Sequence, residues 1–205
     1  MIHKTPRLLK FLYPSLVWNV PTNEKKIFLT FDDGPIPEVT EFVLETLAQY
    51  NAKAVFFCVG DNIKKHPEVF LKVVNEGHKI GNHTFNHLKG WKTDNNTYFE
   101  NIQSCEEIIG QYSSGFFRAP YGRIKRSQIK HLKSKYKIIM WDVLSADYEK
   151  FLSKEKCLEG TIKATRNGSI VLFHDHLKTY EKIKYVLPKY LDHFSKLGYT
   201  FELIP

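Results

Sequence analysis

Two adjacent carboxylates, Asp32 and Asp33, follow an apolar run near the start of the chain. The run 26–31 has the composition of a buried strand, and a Gly-Pro turn ends the segment. The end of a strand can twist so that neighbouring side chains reach one cavity. Like charges this close repel unless a cation or an arginine compensates. The pair therefore indicates one carboxylate that holds a metal ion and one that takes a proton, although the same dipeptide is also common in plain loops.

Two histidines further along the chain could complete a metal site. The segment 81–87 reads Gly-Asn-His-Thr-Phe-Asn-His. Residues at i and i+4 lie on one face of a helical turn, so we expect His83 and His87 to turn a nitrogen toward one ion, with ordinary loop histidines as the alternative. Together with Asp33 they form a two-histidine, one-carboxylate set with open positions for water and substrate. Such a set suits zinc, and cobalt, nickel, iron or manganese could also be held.

Three more polar clusters each follow a strand-like run. The segment 117–122 reads Phe-Arg-Ala-Pro-Tyr-Gly and places Arg118 before a turn whose backbone N–H groups can face a ligand. The segment 138–148 contains Trp-Asp-Val and then Ser-Ala-Asp-Tyr, and the segment 170–175 delivers His174 at the end of a buried strand. Each cluster alone is weak evidence, because a strand-end arginine is usually a surface charge and such a histidine usually a cap. Their joint order is informative.

The order of the five motifs resembles that of the polysaccharide deacetylases of carbohydrate esterase family 4, the nodulation-deacetylase homology domain. Thr-Phe-Asp-Asp-Gly matches the first motif, His-Thr-x-x-His the second and Arg-x-Pro-Tyr-Gly the third. Trp-Asp-Val…Asp-Tyr resembles the fourth motif and Ile-Val-Leu-x-His-Asp the fifth, so the resemblance spans residues 25–204. The fourth motif departs from the family pattern at Leu144, where many members have Asp, and at Tyr148, where many have Trp.

The resemblance implies metal-assisted hydrolysis of an acetamide on an N-acetylhexosamine-containing glycan. Asp33, His83 and His87 would bind the ion, with zinc expected and cobalt, nickel or manganese as substitutes. Asp32 would be the general base that removes a proton from the attacking water. Arg118 would hold this carboxylate ionised and in position through a charge-assisted hydrogen bond.

The resemblance also implies how the leaving group and the oxyanion are handled. The backbone N–H of Tyr121 would meet the oxyanion. His174 would protonate the departing amine, and Asp147 would keep that imidazole protonated and oriented. The walls of the acetyl pocket are assigned to three side chains: Trp141, Leu172 and Tyr148.

Two other functions use the same residues and stay open at this stage. One is a de-O-acetylase or another amidohydrolase, because ester cleavage needs less help at the leaving group. The other is an inactive sugar-binding barrel, which a missing ligand or a missing Asp32 would have favoured. A nucleic-acid partner is suggested only by the net charge of +8, and no stacking or helix-turn-helix pattern in the sequence supports one. We expect a glycan substrate and a monomer.

A basic stretch begins directly after the third motif. Residues 123–137 carry seven Lys or Arg and no acid. A solvated helix face explains such a run, but its start must lie near the rim of the catalytic face. Clustered cations there would capture an anionic glycan or contact an acidic membrane surface.

The chain is expected to form one catalytic domain, residues 25–205, after an N-terminal extension of residues 1–24. The extension is basic and then apolar, but Pro14 interrupts it and no small-residue cleavage site follows, so it is not a convincing signal peptide. We therefore expect a cytoplasmic enzyme, with attachment to the inner face of a membrane as the alternative. The three cysteines are widely scattered and have no metal-type spacing, and Cys58, in an apolar strand-like run, is predicted to be a reduced, buried thiol.

Strands and helices alternate along the sequence. Helical patterns occupy 39–47, 67–75, 97–111, 125–134, 153–166 and 179–196, and Gly77 is expected to end the second of them. Alternation of this kind predicts an α/β fold with a parallel sheet, and the family resemblance implies a distorted (β/α)7 barrel. In such barrels the chemistry lies at the C-terminal ends of the strands. Seven strands are predicted, at 26–31, 53–59, 78–82, 115–118, 136–143, 169–174 and 199–204.

Overall fold

A single parallel sheet, curled into an incomplete barrel, forms the centre of the molecule. The computed structural model describes residues 3–205. The strands pair in the order β5-β4-β3-β2-β1-β7-β6, and β8 pairs with the start of β1. Every strand pair is parallel, which confirms the predicted single-domain α/β fold of the distorted (β/α)7 type. The strands are β1 (Lys26–Asp32), β2 (Ala54–Cys58), β3 (Lys79–Asn82), β4 (Ser113–Phe117), β5 (Lys137–Ile138), β6 (Val143–Leu144), β7 (Ile170–His174) and β8 (Thr200–Phe201).

Helices connect the strands as the sequence predicts. All six predicted helices are present, with ends shifted by at most two residues, and Gly77 follows α4 in the left-handed region at φ 77°. The helices α1 and α3 were not predicted, because six residues are too few to show a helical repeat of apolar positions. In residues 3–205 no helix combines the length and apolarity that crossing a membrane requires. The helices are α1 (Arg7–Leu12), α2 (Val39–Ala48), α3 (Gly60–Lys65), α4 (Pro67–Asn75), α5 (Asn95–Ile109), α6 (Arg126–Leu132), α7 (Lys154–Ala164) and α8 (Tyr180–Lys196).

The predicted strand 136–143 is wrong as a continuous element. Its first half, β5, pairs with β4 at one edge of the sheet, and its last residue begins β6, which pairs with β7 at the other edge. Between them the chain crosses the gap of the barrel. Val17 inserts there, donating its N–H to Ile138 O at 2.9 Å and accepting the Met140 N–H at 2.7 Å. The apolar run does not reveal this division, because the contact with Val17 is made by a distant segment of the chain.

The residues before β1, here called the N-terminal segment (3–24), pack against the barrel. Leu16 and Trp18 are buried in an apolar cluster with residues of β4, α5 and α6. Asn19 forms an isolated bridge with Ser169, next to β7. The segment therefore covers the gap between the two edges of the sheet and lies close to the ends of its strands.

Burial of aromatic side chains holds the sheet against its helices. The rings of Phe31, Phe56 and Phe173 on three adjacent strands stack at centroid distances of 5.0 and 5.9 Å. The three cysteines are free and buried, as expected for Cys58, so they contribute as small apolar groups.

Candidate active site

The two carboxylates lie at the C-terminal end of β1, in the middle of the sheet. Asp32 is the last residue of the strand, is buried, and stands in register with His174 on the neighbouring β7. Asp33 leaves the strand in the left-handed region at φ 86°. This break in the alternation of the strand allows both side chains to line one cavity of about 390 Å³, called here the catalytic cavity.

Hydrogen bonds from Arg118 hold the side chain of Asp32 in place. Its Nη1 donates to Asp32 Oδ1 at 2.7 Å and to Thr30 Oγ1 at 2.8 Å. The remaining donors bond the carbonyls of Ile139 at 3.1 Å and Met140 at 2.8 Å. A fully buried guanidinium with these partners is held in one orientation, and it sets a positive charge against the facing carboxylate. Thr30 belongs to the first motif, but nothing in the sequence indicated its contact with the arginine.

The three predicted metal ligands lie close together in the catalytic cavity, next to Asp32. One ligand atom each of Asp33, His83 and His87 lies within 4.8 Å of the other two. His87 Nε2 is 3.1 Å and His83 Nε2 is 3.7 Å from Asp33 Oδ1. The Nδ1 of His83 is 2.8 Å from Arg118 O, so Nδ1–H donates a hydrogen bond to this carbonyl. The lone pair of Nε2 is then available to an ion.

The ionisation of this set suits a cation. Burial lowers the pKa of His83 to about 4, so the imidazole is neutral and able to donate electrons. Burial opposes ionisation of Asp33, but a hydrogen bond from His87 and the charge of His174 hold the pKa of Asp33 below its usual range. A neutral nitrogen beside a firmly ionised carboxylate is the donor chemistry that a divalent ion requires.

The prediction that His83 and His87 share a helical turn is wrong. Both lie in an irregular loop after β3, in which Thr84 and His87 adopt left-handed conformations at φ 64° and 54°. The buried Asn82 accepts the Thr84 N–H at 2.9 Å, and Thr84 Oγ1 accepts the Leu88 N–H at 3.0 Å. These side chains take the backbone bonds that a helix would need, and the rings still converge at a centroid distance of 5.0 Å.

His174 and Asp147 form the opposite side of the cavity. The Nδ1 of His174 is 2.8 Å from Asp147 Oδ1, and the His174 backbone N–H donates to Oδ2 at 2.7 Å. Burial favours the neutral imidazole, but the charge and hydrogen bond of Asp147 outweigh it and raise the pKa of His174 to about 9. The histidine is therefore protonated at neutral pH and presents Nε2 to the cavity.

The walls of the cavity include every side chain that the sequence assigned to it. Tyr121, Trp141, Leu172 and Tyr148 all line it, together with Leu144, one of the two departures from the family pattern. Tyr148 packs its ring edge-on against His174 at 5.3 Å, so the tyrosine fills the position expected of a tryptophan.

The turn at Tyr121 leaves a donor available. Tyr121 has φ 59°, and within residues 3–205 its backbone N–H has no hydrogen-bond acceptor. Gly122 follows at φ 64°, where a Cβ would lie 2.7 Å from the Trp141 ring. The glycine is therefore needed both for the backbone conformation and for the close approach of Trp141.

The basic stretch reaches the cavity only at its first residue. Arg123 lines the cavity, whereas Lys125 donates to Thr93 O at 2.7 Å and Arg126 lies over the Tyr13 ring at 5.7 Å. A second cation at the rim, Lys89, was not predicted. It lines the cavity with Nζ 4.3 Å from the centre of the Tyr121 ring.

Asp175 is the main residue of the site that has no predicted role. It is fully buried, with Oδ1 accepting the Gly34 N–H at 3.0 Å and Oδ2 accepting the Thr40 hydroxyl at 2.6 Å. Burial raises the pKa of Asp175 to about 8. A Cβ on Gly34 would lie 2.0 Å from Asp175 Oδ2. The carboxyl thus supports the turn that carries Asp33, and its position directly after His174 was the available indication.

Loss of this support should weaken metal binding. We expect Asp175→Ala to lower the affinity for a divalent metal ion about 10- to 100-fold, as for other residues that orient ligands. Asp175→Asn should lose less, because its amide oxygen can still accept the Gly34 N–H. Competition with a chelating dye measures the affinity, and Asp192→Ala on the exposed face of α8 is the control. Wild-type affinity in a folded Asp175→Ala protein would contradict this role.

Comparison with known proteins identifies relatives along the whole chain. The family model described as polysaccharide deacetylase matches residues 19–136. A peptidoglycan-N-acetylglucosamine deacetylase of Bacillus cereus is 34% identical over 204 residues, which cover 96% of this chain and 95% of that protein. A second one from the same organism is 37% identical, and the match covers 75% of this chain and 57% of that longer protein.

A solved structure supports the same relationship. A peptidoglycan N-acetylglucosamine deacetylase in complex with a naphthalenyl N-oxidanyl-benzamide superposes with a TM-score of 0.89 at 30% sequence identity. The superposition covers 98% of this chain and 95% of that one, so it includes the N-terminal segment.

Proposed function

Because this chain belongs to the polysaccharide deacetylase family, we propose that it hydrolyses the N-acetyl groups of an N-acetylglucosamine-containing glycan. One observation carries the proposal. The Arg118–Asp32 pair, the Asp-His-His set and the His174–Asp147 pair converge on one small cavity. These are a base, a metal set and an acid, the three groups that metal-assisted amide hydrolysis uses.

We propose zinc as the metal, with cobalt, nickel or manganese as substitutes. Asp33, His83 and His87 would hold it, because two imidazole nitrogens and one carboxylate oxygen suit zinc and leave positions open. A bound ion would polarise the acetyl carbonyl and lower the pKa of a water molecule.

Asp32 and His174 would move the protons. Asp32 takes a proton from the attacking water, and Arg118 holds the carboxylate in position through the 2.7 Å hydrogen bond to Oδ1. His174 gives its proton to the nitrogen as the C–N bond breaks, so the product leaves as a neutral amine. The free N–H of Tyr121 donates to the oxyanion that forms between these steps.

A polar cleft beside the catalytic cavity supports a glycan as the substrate. The cleft has a volume of about 370 Å³ and shares Asp33, His87 and His174 with the catalytic cavity. Its outer part presents carboxylate, amide and imidazole groups that can hydrogen-bond sugar hydroxyls: Asp61, Asn62, Asn86 and His176.

Acetate release tests the proposed function. The zinc-loaded protein is incubated with N-acetylchitotetraose, peptidoglycan fragments and acetylated xylan. We expect acetate and new primary amines in equal amounts from the first two substrates. Acetate from xylan alone, without any new amine, would indicate a de-O-acetylase.

The His174→Ala variant separates amide from ester chemistry. An amine leaves poorly without a proton, whereas a phenolate leaves readily. We expect the variant to lose about 10²–10⁴-fold in kcat on N-acetylchitotetraose and much less on 4-nitrophenyl acetate. Equal losses on the two substrates would show that His174 is not the general acid.

A further inference from the structure

An apolar groove adjoins the catalytic cavity. It has a volume of about 490 Å³ and shares Tyr121, Arg123 and Trp141 with the cavity, so the two spaces lie side by side. The N-terminal segment builds one wall, and the loop after β4 builds the other. The apolar lining consists of Leu9, Leu12, Leu16, Trp18, Ile124 and Met140.

Ion pairs fix the wall that the N-terminal segment contributes. The fully buried carboxylate of Asp142 accepts hydrogen bonds from Lys4 Nζ at 2.6 Å, from Lys10 Nζ and from Ser169 Oγ at 2.8 Å. The Thr5 hydroxyl donates to Trp141 O at 2.7 Å. The groove is therefore a built feature of the fold, tied to the segment between β5 and β6 that also contributes Trp141 to the cavity wall.

The same ion pairs give α1 an inverted polarity. Lys10 points inward to Asp142, whereas Leu8 and Phe11 point outward and are 67% and 80% exposed. Residues 3–23 contain no acid. Exposed apolar side chains among cations are the surface that contacts hydrocarbon next to anionic groups, as at a membrane interface.

Cations stand at the junction between the groove and the catalytic cavity. Arg123 lines both spaces, and its guanidinium lies over the Trp91 ring at 4.4 Å. Lys89 lies on the cavity side, over Tyr121, and Lys4 lies in the groove. A guanidinium at this point suits a phosphate group between a sugar and an apolar chain.

We propose that the apolar groove binds the hydrocarbon chain of a lipid-linked substrate. The N-acetylated sugar occupies the catalytic cavity, a phosphodiester lies at Arg123, and the chain follows the groove toward the exposed face of α1. This inference rests on the proposed deacetylase function and names its substrate class. The wall residues that the two spaces share, the cations at their junction and the inverted helix carry it.

Synthetic substrates that carry a single sugar and differ in their alkyl chain test whether the groove binds hydrocarbon. The methyl and decyl phosphodiesters of N-acetylglucosamine 1-phosphate are compared below the micelle concentration, with N-acetylchitotetraose as reference. We expect kcat/KM to be about tenfold or more higher for the decyl than for the methyl diester, since each buried methylene contributes to binding. The kcat/KM of decyl N-acetylglucosaminide, which lacks the phosphate, should lie between the values for the two diesters. Equal kcat/KM for the methyl and decyl diesters would overturn the proposal.

Two double variants of α1 locate the effect. In Leu9→Glu/Leu12→Glu, both changes lie in the groove at side chains that are 38% and 48% exposed, so the fold should tolerate them. We expect the preference for the decyl diester to fall close to onefold. In the matched control Leu8→Glu/Phe11→Glu, both changes lie outside the groove on the same helix, and the preference should persist. If Leu8→Glu/Phe11→Glu lost the preference and Leu9→Glu/Leu12→Glu kept it, the outer face of α1 would contact the lipid and the groove would not hold the chain.

A binding measurement separates this inference from the proposed function. All three tryptophans of the chain line the groove, so their fluorescence reports its occupancy. Titration with decyl phosphate should give a saturable change that Leu9→Glu/Leu12→Glu weakens at least tenfold. No change with decyl phosphate would overturn the groove even if chitotetraose is deacetylated. A clear change without acetate release from any substrate would overturn the proposed function and leave the groove as a lipid site.

Discussion

Replacing Asp32 with Asn is expected to lower kcat for acetate release about 10²–10⁴-fold while the protein keeps its metal. The substitution removes the group that accepts the proton of water. It preserves the size of the side chain, and the amide oxygen can still accept the bond from Arg118 Nη1 that is 2.7 Å long in the structure. The geometry of the cavity should therefore survive the loss of the base.

The neighbouring residue provides a matched control. Asp33→Asn removes a ligand and keeps the base, so it should lose metal as well as activity. Elemental analysis of the two purified variants distinguishes these roles. Full metal occupancy in Asp33→Asn together with an empty site in Asp32→Asn would reverse the two assignments.

The second large effect is expected from His83→Ala/His87→Ala. The two changes remove both nitrogen ligands and leave only the Asp33 carboxylate, and a single carboxylate does not retain a divalent ion. We expect acetate release to fall to the rate without enzyme. Chelation of the wild type should have the same effect, and added zinc or cobalt should restore the wild type alone.

A histidine on the surface serves as the control for this variant. His131 lies exposed on α6 and does not line the catalytic cavity, so His131→Ala should retain both metal and activity. If the double variant still hydrolyses N-acetylchitotetraose at the wild-type rate after chelation, the metal assignment is wrong.

The sequence by itself determined which residues meet at the site. Parallel strands present their C-terminal ends at one edge, so motifs that each follow a predicted strand must converge there. The pairing of β1 with β7 places Asp32 opposite His174, and the pairing of β3 with β4 places Arg118 beside the His83 loop. Strand order brings these segments to one edge, and the left-handed conformations at Asp33, Thr84 and His87 then let the side chains converge on the cavity.

Only the tertiary structure decided the features that depend on long-range pairing of the backbone and buried polar groups. The division of 136–143 follows from Val17 bonding Ile138 and Met140, a contact between distant segments that no local pattern encodes. The support that Asp175 gives to Gly34 is of the same kind. The groove likewise exists because Asp142 binds Lys4 and Lys10, which reverses the polarity of α1. Periodicity records which faces are apolar, whereas the partners of a buried charge are fixed only when the chain has folded.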